Sequence, residues 1–295
     1  MNIEIERVGV VGCGLMGHGI TQICAQGGWD VVVREVDQER LDKGLAKIEK
    51  QLARAVEKGK LSQEDADAVR GRIHPTLDYA ELADCDLVIE AMTEDLEAKL
   101  EMWREVDPIV KEGAFLATNT SSLSVAEQAA ATSRPERFLG LHFFNPAQVM
   151  PLLEVVRAEG TSDEASDLGF ALGEHLGKTT VAAGDNRGFI VNRLLVPYML
   201  DAIRAHEQGV GSVEDIDAGM IAGASHPMGP IALADFVGLD TLASIASVMH
   251  EAYGEERFAA PPSLTKLVEA GHFGRKSGRG YYDYSGEKPV AAPLP

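Results

Sequence analysis

The sequence predicts an α/β fold: an N-terminal Rossmann-type, mainly parallel sheet with a helical hairpin insertion, plus an all-helical C-terminal domain. Three observations predict it. Short β-branched runs alternate with amphipathic stretches from Arg7 to about Thr180. A glycine-rich turn joins the first run to a helix. After Gly184 the strand signals fade and helical stretches punctuated by Gly and Pro take over.

The expected strands are Val8–Val11, Val31–Glu35, Leu87–Glu90, Phe115–Thr118, Leu139–Phe144, Leu153–Val156 and Thr179–Val181. Between the second and third lies a helical insertion, Gln38 to Arg72, broken near Gly59 and restarted at Ser62, with Asp65 three residues on as a capping box. A second box, Ser124 with Glu127, starts another helix. Beyond Gly184, Phe189–Gln208, Ser212–Ala222, Leu239–Tyr253 and Ser263–Ala270 read as helices. Asp185-Asn186-Arg187-Gly188 is the expected hinge, because Gly and Asn tolerate the backbone angles of a change in direction. The domains are therefore 1–186 and 187–295, with the hairpin at about 38–72. The Pro/Ala-rich end, Pro289–Pro295, is expected to fray.

Composition narrows the function. The chain has 295 residues and carries 46 Asp and Glu against 27 Lys and Arg, a net charge of −19. That balance opposes nucleic-acid binding, which rests on neutralising phosphates. No run approaches the roughly 18 apolar residues of a membrane span, and the acidic start at Met1–Arg7 lacks the basic and apolar regions of a signal peptide. Three cysteines, Cys13, Cys24 and Cys85, form no CxxC pair. A cytoplasmic protein without nucleic-acid or membrane partners is expected. The eight histidines form no HxxxH or HxH pair, so no metal site is expected.

Gly12-Cys13-Gly14-Leu15-Met16-Gly17 is a GxGxxG directly after a strand and at the start of a helix, the context a dinucleotide fingerprint requires. The first glycine permits the tight turn, the second lets the backbone approach a pyrophosphate, and the third lets helix pack on strand. Glu35 stands at the end of the second strand, where a carboxylate accepts the ribose hydroxyls and repels a 2′-phosphate. NAD is favoured over NADP, with Arg34 the neighbouring feature that would suit the phosphate. Cys13, near a helix N-terminus, is either a thiol of depressed pKa or a small residue beside the cofactor.

A nicotinamide enzyme acting on an alcohol needs a base near the hydroxyl and a group to orient that base. His142 is the candidate, in Leu141-His142-Phe143-Phe144-Asn145-Pro146, since imidazole titrates at about pH 6.5 and Pro146 ends the strand in a turn. Read alone, a histidine in an apolar run is more often a hydrogen-bonded core residue.

The chain resembles the L-3-hydroxyacyl-CoA dehydrogenase family, and especially its short bacterial 3-hydroxybutyryl-CoA members. Four segments carry the resemblance in the family's order: Gly12–Gly17 with Glu35; Asn119-Thr120-Ser121-Ser122-Leu123; Gly140–Pro146 followed by Glu154; and Asp185 to Arg193. It implies hydride exchange between NAD and the C3 carbon of a 3-hydroxyacyl-CoA or 3-oxoacyl-CoA. His142 would be the base, Glu154 the carboxylate paired with it, Ser121 a contact to substrate and cofactor, and Asn192 the amide that holds the substrate. It further implies cofactor contacts at Glu94, Lys99, Asn145 and Lys276, and coenzyme A contacts on the hairpin at Gln51 and Lys58. Gln51 departs from the smaller polar residue usual there. Lys50, Arg54, Lys58 and Lys60 make the hairpin locally basic, which suits phosphates. A homodimer through the helical domain is also implied. Two other readings compete: a dehydrogenase of a free hydroxy acid on the same fold, which the basic hairpin opposes, and a non-catalytic dinucleotide-binding protein, which would have no need of the Ser121, His142, Glu154 and Asn192 set.

Overall fold

A computed structural model describes residues 5–295, so Met1–Glu4, most of the acidic start, lie outside the described residues. The chain divides into two compact units, Met1–Phe189 and Ile190–Pro295. The break falls just past the hinge segment, where Gly188 (φ 81°) and Phe189 (φ 47°) both take left-handed backbone. Glycine reaches that region freely, whereas a side chain such as Phe189 adopts it at a steric cost.

The first unit is built on one eight-stranded sheet. In chain order its elements are β1 (Arg7–Val11), α1 (Gly17–Gln26), β2 (Asp30–Arg34), α2 (Gln38–Glu57), α3 (Gln63–Gly71), β3 (Ile73–Thr76), β4 (Leu87–Glu90), α4 (Leu96–Val106), β5 (Phe115–Thr118), α5 (Val125–Ala129), β6 (Phe138–Phe143), β7 (Leu152–Arg157), α6 (Asp163–His175) and β8 (Thr179–Gly184). The strand order is β3-β2-β1-β4-β5-β6-β7-β8. All neighbouring pairs are parallel except β6 with β7.

Period-two alternation places the strands' side chains in two cores, one on each face of the sheet. Val8, Val10, Val31 and Val33 join Ile20 and Cys24 of α1 and Leu41, Ile48 and Leu52 of α2 in one core. Val11, Val32, Val88 and Leu116 pack with Trp103 of α4 and Phe138 in the other. The hairpin breaks where expected: Gly59 takes φ 65°, and Ser62 accepts the Asp65 N–H at 3.0 Å.

The sequence reading missed β3. Its Ile-His-Pro-Thr run is largely exposed and shows no apolar alternation. As the edge strand it tolerates Pro75, whose missing N–H would break a central ladder.

The second unit comprises α7 (Val191–Glu207), α8 (Val213–Ala224), α9 (Pro230–Val237), α10 (Leu239–Tyr253) and α11 (Pro262–Glu269), with a short antiparallel pair, β9 (Tyr282–Asp283) and β10 (Val290–Ala291). It is helical as expected, with two corrections. Helix α9 is apolar almost all round, so periodicity conceals it, although Pro230 at its first turn and Gly238 at its end mark a start and a stop. The stretch expected to fray instead contains β10, and the Ala292 N–H bonds the Tyr281 carbonyl at 2.8 Å. The buried carboxylates Asp217 and Asp235 organise this unit: Asp217 accepts the Ile231 and Ala232 N–H groups at the start of α9, and Asp235 those of Tyr281 and Tyr282. No single helix among the described residues is long and apolar enough to cross a membrane.

Candidate active site

In a sheet whose order reverses beside its first strand, ligands bind outside the carboxyl ends of the strands. The glycine turn follows β1, Glu35 follows β2, Glu94 follows β4 and Ser121 follows β5. Each glycine of the turn has a distinct physical reason. Gly12 has φ 100°, and a Cβ there would lie 2.7 Å from the Ala91 carbonyl oxygen. A Cβ on Gly17 would lie 1.8 Å from the Gly12 oxygen, whereas one on Gly14 would meet nothing within 4 Å. The first and third glycines are thus demanded by protein packing, and the second faces open space where a phosphate can approach. Helix α1 has no side-chain cap, while α2 to α6 are capped by Asp37, Ser62, Asp95, Ser124 and Ser162. First-turn N–H groups without a side-chain acceptor suit an anion.

Glu35 lies one residue beyond β2. Its carboxylate accepts the Cys13 N–H at 2.9 Å and the Val36 N–H at 2.7 Å, which aims it at the glycine turn. Arg34 is turned elsewhere: its guanidinium stacks 3.8 Å from the centre of the Tyr79 ring and donates to the Leu77 carbonyl. The residues present therefore fit NAD. Cys13 is buried, and burial first and the Glu35 carboxylate second push its thiol up to about 12, so the reading of a depressed pKa is corrected. Leu15 is exposed and Met16 half-buried. Glu35→Ala is expected to weaken NADH binding about 10- to 100-fold, the usual size for losing bonds to a charged acceptor, and to narrow the gap between NADH and NADPH. Fluorescence titration with both cofactors checks this.

The antiparallel pairing of β7 creates the centre of the site. Because β7 runs against β6, its beginning lies beside the end of β6, and the register places His142 opposite Glu154. His142 Nδ1 and Glu154 Oε2 are 2.6 Å apart, with His142 5% and Glu154 0% exposed. The Nδ1–H donates to the carboxylate, which leaves Nε2 as the nitrogen for chemistry. Phe144 and Phe189 flank the imidazole, with ring centres 4.5 and 5.5 Å away. Beyond the strand, Asn145 is exposed and the Asn145–Pro146 peptide is cis.

Ser121 sits on a turn held by Glu94. One Glu94 oxygen accepts the Thr120 hydroxyl at 2.6 Å, the Ser121 N–H at 2.8 Å and the Ser121 hydroxyl at 3.1 Å. Its other oxygen lies 3.1 Å from Lys99, whose ammonium also donates to both oxygens of Glu90. Glu90 further accepts the Thr118 hydroxyl and the Met92 N–H. Burial opposes the Glu94 charge, but Lys99 and the donors on the Ser121 turn outweigh it and hold the carboxyl at about 2. Burial likewise opposes the Lys99 charge, yet the two carboxylates raise its pKa. Lys99 is 1% exposed, so it braces the Ser121 turn from beneath. Asn119 ties that turn to β6 by accepting the Phe143 N–H at 2.9 Å.

The structure thus brings together the glycine turn with Glu35, the Ser121 turn with Glu94 and Lys99, and His142 with Glu154. The hairpin residues fare differently. Lys58 is exposed at the end of α2. Gln51 has both ends of its amide engaged within the protein, by His18 and Gln148. In the second unit, Asn192 is the second residue of α7, and Lys276 pairs with Asp240 at 2.6 Å. The sequence reading missed Glu90, because its partner Lys99 is nine positions away with no motif spacing. It also missed Lys178, which donates to the carbonyls of Ala147 and Met150 and so clamps the turn after His142.

Known proteins resemble this chain in sequence and fold. Residues 7–186 match the family described as 3-hydroxyacyl-CoA dehydrogenase, NAD binding domain, and residues 188–284 its C-terminal domain. The chain is 46% identical to a probable 3-hydroxybutyryl-CoA dehydrogenase of Deinococcus radiodurans, over 94% of this chain and 100% of that protein. It superposes on the crystal structure of M. tuberculosis FadB2 with a TM-score of 0.93 and 47% identity, covering 95% and 99% of the two chains. The (S)-3-hydroxybutyryl-CoA dehydrogenase PaaH1 of Ralstonia eutropha gives a TM-score of 0.92 and 40% identity, covering 96% and 100%.

Proposed function

The chain belongs to the 3-hydroxyacyl-CoA dehydrogenase family, and from that premise we propose that it interconverts (S)-3-hydroxyacyl-CoA and 3-oxoacyl-CoA with NAD, using His142 as acid and base. A 3-hydroxybutyryl-CoA/acetoacetyl-CoA pair is the substrate its relatives' names favour. The observation that carries the reading is the buried 2.6 Å contact between His142 and Glu154.

Held by the glycine turn and Glu35, NAD would supply the hydride acceptor for C3 of the hydroxyacyl group and, in its reduced form, the hydride donor for the ketone. In oxidation His142 Nε2 removes the proton of the 3-hydroxyl, and in reduction it gives that proton back. Glu154, buried and aimed at Nδ1, stabilises the imidazolium that forms and keeps the ring in the tautomer whose Nε2 can accept. Ser121, with its N–H and hydroxyl oriented by Glu94, supports the substrate oxygen. Asn192 is assigned to substrate, and Lys276 and Asn145 to cofactor, on sequence resemblance. Lys50, Arg54 and Lys58, all exposed on the hairpin, suit the phosphates of coenzyme A.

The test is NADH consumption with acetoacetyl-CoA beside free acetoacetate and beside NADPH. Oxidation with the thioester and NADH is expected. Turnover of free acetoacetate alone would transfer the reading to hydroxy acids.

The protein is assigned to the cytoplasm on its three buried free thiols and acidic surface. It is assigned as a homodimer because the second unit exposes the large apolar residues Leu194, Val210, Ile221 and Phe236. Sedimentation at micromolar concentration is expected to give twice the 31.6 kDa chain mass; a species of single-chain mass would overturn the dimer.

A further inference from the structure

A second polar network joins the glycine turn at the Gly14 carbonyl. His18, on the first turn of α1 and 6% exposed, lies 2.6 Å through Nδ1 from the Gly14 carbonyl. Its Nε2 lies 3.2 Å from the Gln51 amide nitrogen on α2. The Gln51 amide oxygen in turn accepts from the Gln148 amide at 2.6 Å. Gln148 belongs to the turn that follows β6, between the Ala147 and Met150 carbonyls clamped by Lys178.

For a neutral ring the bonds have one self-consistent direction. A backbone carbonyl can only accept, so neutral His18 carries its proton on Nδ1 and Nε2 accepts. Gln51 therefore presents its NH₂ to His18 and its oxygen to Gln148, and Gln148 must present its NH₂ to Gln51. Burial lowers the pKa of His18, the state in which Nε2 is free to accept. Packing around the network is tight. A Cβ on Gly19 of α1 would lie 2.5 Å from the Gln148 amide oxygen, and a Cβ on Gly44 of α2 would lie 2.3 Å from the Cys13 oxygen.

The geometry points to His18, Gln51 and Gln148 as a positioning latch that fixes helix α2, and with it the basic hairpin face, onto the cofactor turn and the catalytic turn at once. The three elements come from distant parts of the chain, and each supplies one member. None of the three residues is a catalytic residue. Their role is to hold Lys50, Arg54 and Lys58 in one orientation before the acyl-CoA arrives, so that the substrate need not order them. This inference rests on the acyl-CoA reading, and wild-type turnover of acetoacetyl-CoA with NADH is the control that separates the two.

The experiment compares Gln51→Ala, Gln148→Ala and the double variant for KM and kcat with acetoacetyl-CoA, together with Tm. Each single change is expected to raise KM about 5- to 20-fold, the cost of leaving a half-buried amide unpaired, with kcat changed less than KM. The double variant is expected to be no worse than the poorer single one, because each change breaks the same chain of bonds. Effects that multiply, or a rise in KM for Gln51→Ala with Gln148→Ala unchanged, would show that Gln51 touches the substrate by itself and overturn the latch. A fall in Tm with KM unmoved would reduce it to a packing feature. Nitrogen-15 NMR of the unaltered protein tests the polarity independently of any variant: the neutral Nδ1–H tautomer of His18 is expected, and an Nε2–H tautomer would overturn the assignment.

Discussion

His142→Gln is expected to lower turnover about 10²- to 10⁴-fold, the range that removal of a positioned acid or base usually costs, while NADH affinity stays near that of the unaltered enzyme. The substitution keeps a polar side chain in the same strand but removes the only atom, Nε2, that can exchange a proton with the 3-oxygen. The cofactor is assigned to the turn after β1 and to Glu35, neither of which has a hydrogen bond to His142. Steady-state kinetics with acetoacetyl-CoA and fluorescence titration with NADH separate the two quantities. Near-normal turnover would remove His142 from the mechanism. A parallel loss of NADH affinity would mean that the substitution had disturbed the sheet, since the residue lies in a buried ladder.

Lys99→Met is expected to destabilise the protein by about 3–5 kcal/mol, the typical penalty for breaking a buried ion pair from one side. Glu90 is 0% exposed, and its one cationic partner among the described residues is the Lys99 ammonium, itself 1% exposed, which donates to both carboxylate oxygens. Methionine fills the volume and leaves the carboxylate without its cation. Denaturant titration at neutral pH measures the loss, and a change no larger than that of an ordinary surface substitution would refute it.

The same group sets a pH window. The Glu94 carboxyl is held at about 2, below its unfolded value, so its contribution is present above the ordinary carboxylate range and is lost as pH falls through the folded value. Lys99 is raised, so its contribution is present below the ordinary ammonium range and is lost as pH rises through its raised value. The stability of the Ser121 turn is therefore expected to be flat across neutral pH and to fall only at the two extremes.

Much of the fold was legible because the relevant signals are local. Strand β1, the glycine turn and α1 occupy consecutive residues, and the physical demands on Gly12 and Gly17 are met within the turn itself and by the neighbouring strand end at Ala91. The hairpin carried its own stop at Gly59 and start at Ser62. Elements without such signals were missed: β3 is a polar edge strand containing proline, and α9 is apolar round its circumference. The short pairing of β9 with β10 lies in a Pro/Ala-rich region whose composition says nothing of its partner.

By itself, the sequence determined the α/β class, the glycine turn between strand and helix, the carboxylate at Glu35 assigned to the ribose and, through resemblance, the residues assigned to chemistry. These are properties of short segments whose residue types suit one backbone shape or one kind of ligand. The tertiary structure decided which side chains meet. The antiparallel register of β7 against β6 makes a pair of His142 and Glu154, twelve positions apart. The fold buries Lys99 between two carboxylates and turns Gln51 inward to His18 and Gln148. Such contacts depend on the register of strands and the packing of helices, in which a shift of one residue would send every side chain to the other face.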